Sequence, residues 1–239
     1  MSVLLYLATL LAYFIKGFGG FGPAMIIVPV FALIAGTNLA LAASALLDAA
    51  AGLILLRTVW PRIDWQFVWP VMAAIAGGSF LGARTAYFLP EDLLLKIMGF
   101  VLLIFVIYLF FQDNRPAVEA GGAPRWGTIA AGLLAGLLGG LSGMSGPPLV
   151  AYLKYYYPKE FFRTQLIVIF LAEKFIRLLV YGRHQMLPWQ EWPVLFTFLP
   201  MLLLGLWIGT RLHGKVSEKQ FTRTVALILI FPAVKLIFF

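Results

Sequence analysis

Gly19-x-x-Gly22-Pro23 and Gly143-x-x-Gly146-Pro147 are the two places where residue type and spacing could do chemistry with the backbone itself. Each lies in a longer Gly-rich stretch, Lys16-Gly-Phe-Gly-Gly-Phe-Gly-Pro23 and Gly139-Gly-Leu-Ser-Gly-Met-Ser-Gly-Pro-Pro148. Glycine frees the chain to turn sharply, and proline is favoured where a helix starts because it has no N–H to leave unpaired. A helix that restarts after such a break presents unbonded amide groups and the positive end of its dipole, which suits an anion. Lys16 could add a full positive charge, and Ser142 and Ser145 could add hydroxyl donors. The candidate binding residues are therefore Lys16, Gly19, Gly20, Gly22 and Pro23 in the first stretch and Ser142, Gly143, Ser145, Gly146 and Pro147 in the second. Close helix packing, the plainer role of small residues in membranes, accounts for Gly78, Gly82, Gly205 and Gly209. It does not account for the duplicated Gly-x-x-Gly-Pro.

Asp48 falls inside one apolar run, and Glu173, Lys174 and Arg177 fall inside another. Charge in hydrocarbon is costly, so such groups face a cavity or pair with one another. Glu173 and Arg177 are four apart and can pair on one helix face. Asp48 has no partner nearby in the sequence, which makes it the better candidate for a carboxylate that couples transport to H⁺. Asn38, Ser44 and Gln165 are polar groups near the same runs and candidates for lining a path, although Asn38 reads equally well as an N-cap after Gly36. Arg84 and Arg211 end their helices and can reach the headgroups.

Several chemistries are excluded. GFGGFG lacks the preceding strand, the amphipathic helix and the later acidic residue that a dinucleotide fingerprint needs. The chain has no Cys, hence neither a disulfide framework nor a thiolate metal site. His184 and His213 are the only imidazoles and lie in polar connections, so no metal and no cofactor is expected. No nucleophile, base and orienting acid come together in the connecting segments, which argues against an enzyme. The net charge of +8 is scattered over short segments, a pattern of cytoplasmic loop retention rather than of a nucleic-acid groove.

The elements that must position these groups are membrane helices. Hydrophobic residues make up 62% and charged residues 12% of the chain, too little polar material to cover a water-soluble fold of this size. Ten apolar runs lie between short polar breaks: Ser2–Ile15, Ala24–Ala35, Leu39–Leu56, Phe67–Ala83, Leu93–Phe111, Thr128–Leu138, Pro148–Tyr156, Leu166–Tyr181, Trp192–Trp207 and Val225–Phe239. The first, second, sixth and seventh are short of the ~20 residues that a bilayer crossing takes. They form two pairs, each joined by one of the Gly-rich breaks, as expected for helices interrupted within the membrane. Met1–Ile15 has no basic residue ahead of its apolar run and reads as the first mature membrane segment, not a cleaved signal. Trp60, Trp65, Trp69, Trp126, Trp189 and Trp192 sit near segment ends as interfacial anchors.

The two halves share one plan. The Gly-x-x-Gly-Pro motifs correspond, Gly78-x-x-x-Gly82-x-Arg84 corresponds to Gly205-x-x-x-Gly209-x-Arg211, and Glu91 and Glu218 follow in equivalent places. Residues 1–111 form the first transmembrane repeat, 112–126 a linker and 127–239 the second repeat, together one membrane domain. If each broken pair goes in and comes back, one face collects eleven basic residues, among them Arg57, Arg62, Arg125, Lys154, Arg163 and Arg211, against six on the other. Counting each broken pair as one full crossing instead gives nine against eight and halves of equal orientation, so the larger split favours inverted halves, with the richer face cytoplasmic and both chain ends external. The predicted fold is an all-α polytopic membrane protein of two inverted structural repeats, each with one Gly/Pro-broken helical hairpin and three longer transmembrane helices.

With Gly17-Phe-Gly-Gly-Phe-Gly-Pro23 opening one half and Gly139-Gly-Leu-Ser-Gly-Met-Ser-Gly-Pro-Pro148 opening the other, the chain resembles the sulfite exporter TauE/SafE family over essentially its whole length. The resemblance implies transport of small anions, especially sulfite and sulfonates such as sulfoacetate, across a bacterial inner membrane by a multi-pass helical bundle. Alternating access between the halves, with H⁺ as a coupling ion, is the expected mechanism. An anion channel and a carrier of small carboxylates are the alternatives. The partners expected are the anion, H⁺, the lipid bilayer and a second copy of the chain, with no nucleic acid. The second half has Gly140 and Met144 where the first has Lys16 and phenylalanines, so the two half-sites are chemically unequal.

Overall fold

The computed structural model describes residues 3–111, 123–185, 187, 190, 192–212 and 218–238, without the side chains at 159, 160, 162 and 218–223. The first half contains α1 (Val3–Gly19), α2 (Ala24–Ala35), α3 (Thr37–Val59), a 3-10 turn (Trp60–Arg62), α4 (Trp65–Phe88) and α5 (Glu91–Phe111). The second contains α6 (Arg125–Ser142), α7 (Gly146–Tyr156), α8 (Lys159–Arg183), α9 (Trp192–Phe196), α10 (Leu199–Leu212) and α11 (Glu218–Phe238). No strand occurs among the described residues. The segments Thr37–Arg62, Trp65–Phe88, Glu91–Phe111 and Trp192–Leu212 are long and apolar enough to cross a membrane.

Helix ends follow local chemistry. Gly36, at φ +87°, is the single residue between α2 and α3, a left-handed position that glycine takes without a Cβ clash. The Asp64 carboxylate accepts the Phe67 N–H at 3.1 Å and caps α4. Glu91 Oε1 accepts both the N–H (3.1 Å) and the hydroxyl (2.8 Å) of Thr37, tying the start of α5 to the start of α3. Two expectations are corrected. Gly36, not Asn38, caps α3, and the run Trp192–Trp207 is two helices with a turn at Thr197–Phe198, Pro200 standing in the first turn of the second helix as proline prefers. α6 begins at Arg125, inside the stretch read as linker. Residues 112–122, Trp189, His213 and the Glu218 side chain lie outside the described residues.

The directions of the helices can be read from side-chain neighbours. Along α3 and α8, Leu41 and Ser44 meet Arg177, Asp48 meets Lys174, Gly52 faces Leu171, and Arg62 meets Gln165. Ascending numbers on one helix match descending numbers on the other, so α3 and α8 are antiparallel. Gly99 faces Ala233 and Ile237, while Phe105 and Leu109 gather with Val225 and Leu229, so α5 and α11 are antiparallel as well.

Glycine seams join the halves reciprocally. Gly78 and Gly82 of α4 lie on the backbone of α6 at Leu133 and Leu137, and Gly205 and Gly209 of α10 lie on the backbone of α1 at Leu10 and Phe14. From the opposite side of each seam, Gly140 abuts Ser79 and Ala83, and Gly17 abuts Leu206 and Thr210. Each half thus lends its opening helix to the Gly-xxx-Gly helix of the other, at matching positions. Between the charged helix ends the outer helix faces are apolar, with Ile104 67%, Leu179 71% and Phe231 74% exposed, as a lipid-facing surface requires. Among the described residues the core buries the charged side chains of Lys16, Asp48, Glu173, Lys174 and Arg177.

Candidate functional site

Both Gly-rich stretches break their helices. α1 ends at Gly19, Gly20 and Gly22 take φ of +83° and +101°, and α2 starts at Ala24. α6 ends at Ser142, Gly143 takes φ +80°, and α7 starts at Gly146. The two breaks meet: a Cβ on Gly146 would lie 2.9 Å from the Met25 methyl and 3.7 Å from the Phe21 ring. Gly22, Pro23 and Ala24 from the first break and Met144, Ser145 and Gly146 from the second line one small cavity with Lys16, Asp48 and Lys174. Asp48 is near the middle of α3 and Lys174 lies in the middle part of α8, so the cavity sits at mid-depth of the long helices.

Five ionisable side chains are buried there. Lys16 forms an ion pair with Asp48 Oδ1 and also donates to the Asp48 carbonyl at 3.2 Å. Lys174 pairs with Glu173, stands 3.7 Å from Asp48 Oδ2 and donates to Ser145 Oγ at 3.2 Å. Ser145 Oγ donates in turn to Glu173 Oε2 at 3.3 Å. Arg177 stands 3.6 Å from Glu173 Oε1 and donates to the Gly143 carbonyl (3.1 Å), the Leu41 carbonyl (3.3 Å), Ser44 Oγ (3.1 Å) and the Tyr181 hydroxyl (3.3 Å). Tyr181 donates to the Gly140 carbonyl at 2.9 Å. Arg177 and Tyr181 therefore satisfy carbonyls freed where α6 ends, as a buried break demands.

The pair Glu173–Arg177 read from the sequence is present. Asp48 differs from its reading: its partner is Lys16, brought across from α1, which sequence proximity could not reveal. Lys174, which stands outside the candidate site residues read from the sequence, is a second buried cation beside Glu173 and joins the second half to Asp48. Asn38 is exposed in the first turn of α3, ten residues from Asp48 and roughly 15 Å away along the axis. Gln165 is buried but holds the turn before α4, accepting from Asp64 N at 3.1 Å and donating to the Arg62 carbonyl at 3.2 Å. Ser142 donates to the Leu138 carbonyl at 2.7 Å within its own helix.

Electrostatics favours a negative guest. Lys16, Lys174 and Arg177 supply three positive charges against two from Asp48 and Glu173, leaving one in excess. Pro147 and Pro148 remove two amide donors from the first turn of α7, so the lysines rather than a row of free N–H groups provide most of the positive character. Two buried polar atoms near the cluster, the Tyr13 hydroxyl and Glu173 Oε1, have no hydrogen-bond partner among the described residues. The cavity measures about 20 Å³, room for one water and too little for a polyatomic anion.

A family model described as Sulfite exporter TauE/SafE matches residues 5–236. The chain belongs to this family. No curated protein and no solved structure matches it. TauE/SafE proteins are membrane transporters, exporters of sulfur anions, and not an enzyme family. The multi-pass apolar helices and the buried charge at the breaks are thus parts of a membrane transport protein.

Proposed function

We propose that the chain is a secondary carrier that moves small anions, sulfite and sulfonates such as sulfoacetate among them, by alternating access across the bacterial inner membrane with H⁺ as coupling ion. The observation that carries this reading is the excess positive charge of Lys16, Lys174 and Arg177 over Asp48 and Glu173, buried where the two helix breaks meet. Buried charge at mid-depth is costly and is kept where it serves a passenger. The antiparallel pairs α3–α8 and α5–α11 support halves inverted about an axis in the membrane plane, the plan on which fixed midplane sites are built.

Arg57, Arg62, Arg125, Lys154, Arg163 and Arg211 belong to helix ends that share one side in that plan, and the positive-inside bias makes that side cytoplasmic. On that side the Arg163 guanidinium donates to the Gly17 carbonyl at 2.8 Å and its stem lies over Gly20, covering the first break from the cytoplasm. Anion loading then requires the halves to part. Asp48, facing the cavity, is the carboxylate in position to exchange a proton. The test is a flux screen of purified protein in proteoliposomes against sulfite, sulfate, sulfoacetate, taurine and small carboxylates, with and without a pH gradient. Saturable flux of sulfur oxyanions with counter-transport supports the carrier, unsaturable conductance makes it a channel, and preference for cations overturns the reading.

A further inference from the structure

Resting on that anion-carrier reading, we infer that the site is charge-matched to one net negative charge: the passenger replaces the Asp48 carboxylate between Lys16 and Lys174, and a dianion enters together with one proton, carried by Asp48.

The geometry sets Asp48 apart from Glu173. Asp48 lines the cavity and Glu173 does not. Asp48 is held between one ammonium from each half, Lys16 from α1 and Lys174 from α8, the position that an oxyanion bridging the halves would occupy. Glu173 is tied within the second half, to Lys174, Ser145 and Arg177. Around Asp48 stand Lys16 and Tyr13 from α1, Lys174, Glu173 and Arg177 from α8, and Ser145 at the start of α7. No other ionised group among the described residues lies in the cluster.

The balance follows. With all five groups ionised the empty site carries +1, and uncompensated charge in a membrane interior is heavily penalised. A monoanion brings the loaded site to zero. A dianion brings it to −1 unless one carboxylate is neutralised, and the carboxylate displaced from its two lysines is the one that takes the proton. Helix dipoles do not upset this count, because at each break the negative end of one helix (α1, α6) abuts the positive end of the next (α2, α7), and equal half-charges cancel.

Sulfite is the natural probe, being a monoanion in mild acid and a dianion in mild alkali. Proteoliposomes with equal pH on both sides are clamped by a potassium diffusion potential. The potential that halts net flux of radiolabelled sulfite gives the charge moved per anion, and a trapped pH dye gives the protons moved. A tenfold sulfite gradient is balanced at about 59 mV for one charge and about 30 mV for two. The expected result is the one-charge potential in both acid and alkali, with one proton per sulfite moving in alkali. A shift to the two-charge potential in alkali, without proton movement, overturns the inference while leaving transport intact. Asp48→Asn adds a second check: it should move sulfite dianion at the two-charge potential with no proton, and proton movement retained in that variant also contradicts the inference. The wild-type potentials test the one-charge match even if the variant fails to fold, and the variant tests whether Asp48, rather than the passenger as bisulfite, carries the proton. Absence of any anion flux overturns the carrier reading, and this inference with it.

Discussion

Lys16 and Asp48, 32 residues apart, form a buried ion pair that closes the first helix break against the middle of α3. The pair is one arm of a bridge whose other arm is Lys174 from the second half. Breaking the Lys174 arm loosens the contact between halves at the site where a passenger must enter, and breaking the Lys16 arm frees the first helix break from α3. The ion pair therefore serves both as a structural tie and as the place where anion and carboxylate compete.

Removing one member of this tie leaves a buried charge without its partner, which costs about 3–5 kcal/mol, whereas removing both members is often near neutral. Lys16→Met should accordingly lower thermal stability in detergent by that order, and Lys16→Met with Asp48→Asn should recover most of it. Neither protein should transport sulfite. Thermal unfolding of the four proteins of the cycle checks the pairing, and additive losses would show that the two residues act independently.

The Tyr13 hydroxyl makes no hydrogen bond among the described residues, so Tyr13→Phe should leave stability unchanged or raise it by about 1 kcal/mol. If the hydroxyl serves the passenger, the apparent KM for sulfite rises while the protein remains as stable as wild type. A destabilised Tyr13→Phe protein would contradict this account.

Along the α4–α6 seam, a methyl group on Gly82 would collide with the backbone at Leu137 and Leu141, atoms that cannot swing aside. Gly82→Ala should cost about 1–3 kcal/mol through overpacking. Gly77, one position before Gly78 on the same helix, has nothing within 4 Å of its Cβ position, and Gly77→Ala should be neutral or mildly stabilising. Melting temperatures of the two variants side by side make the comparison, and equal melting temperatures would count against the seam.

Much of this was legible in the residues. The Gly-x-x-Gly-Pro repeats gave both helix breaks, and the Gly-xxx-Gly repeats gave the seams, because glycine at such spacing has few other uses in apolar helices. Glu173 and Arg177 were readable as a pair because four residues on a helix bring side chains together. Lys16–Asp48 was not, since its closeness depends on how α1 folds back on α3, a tertiary fact with no local signal. The turn between α9 and α10 was hidden by the unbroken hydrophobicity of Trp192–Trp207, although Pro200 marks where a helix restarts. Asn38 misled because a short polar residue after glycine resembles a cap, while Gly36 itself adopts the capping geometry.

Gly146 carries the most direct test of the claim that the meeting breaks form the anion site. A Cβ there presses on the tip of Met25, a flexible side chain, while the rest of a leucine overfills a cavity of about 20 Å³, so Gly146→Leu should lose about 1–3 kcal/mol and still purify folded. Sulfite flux into proteoliposomes is the measurement. The account predicts that flux falls to the background of empty vesicles in a folded Gly146→Leu protein; wild-type flux in that protein would contradict it.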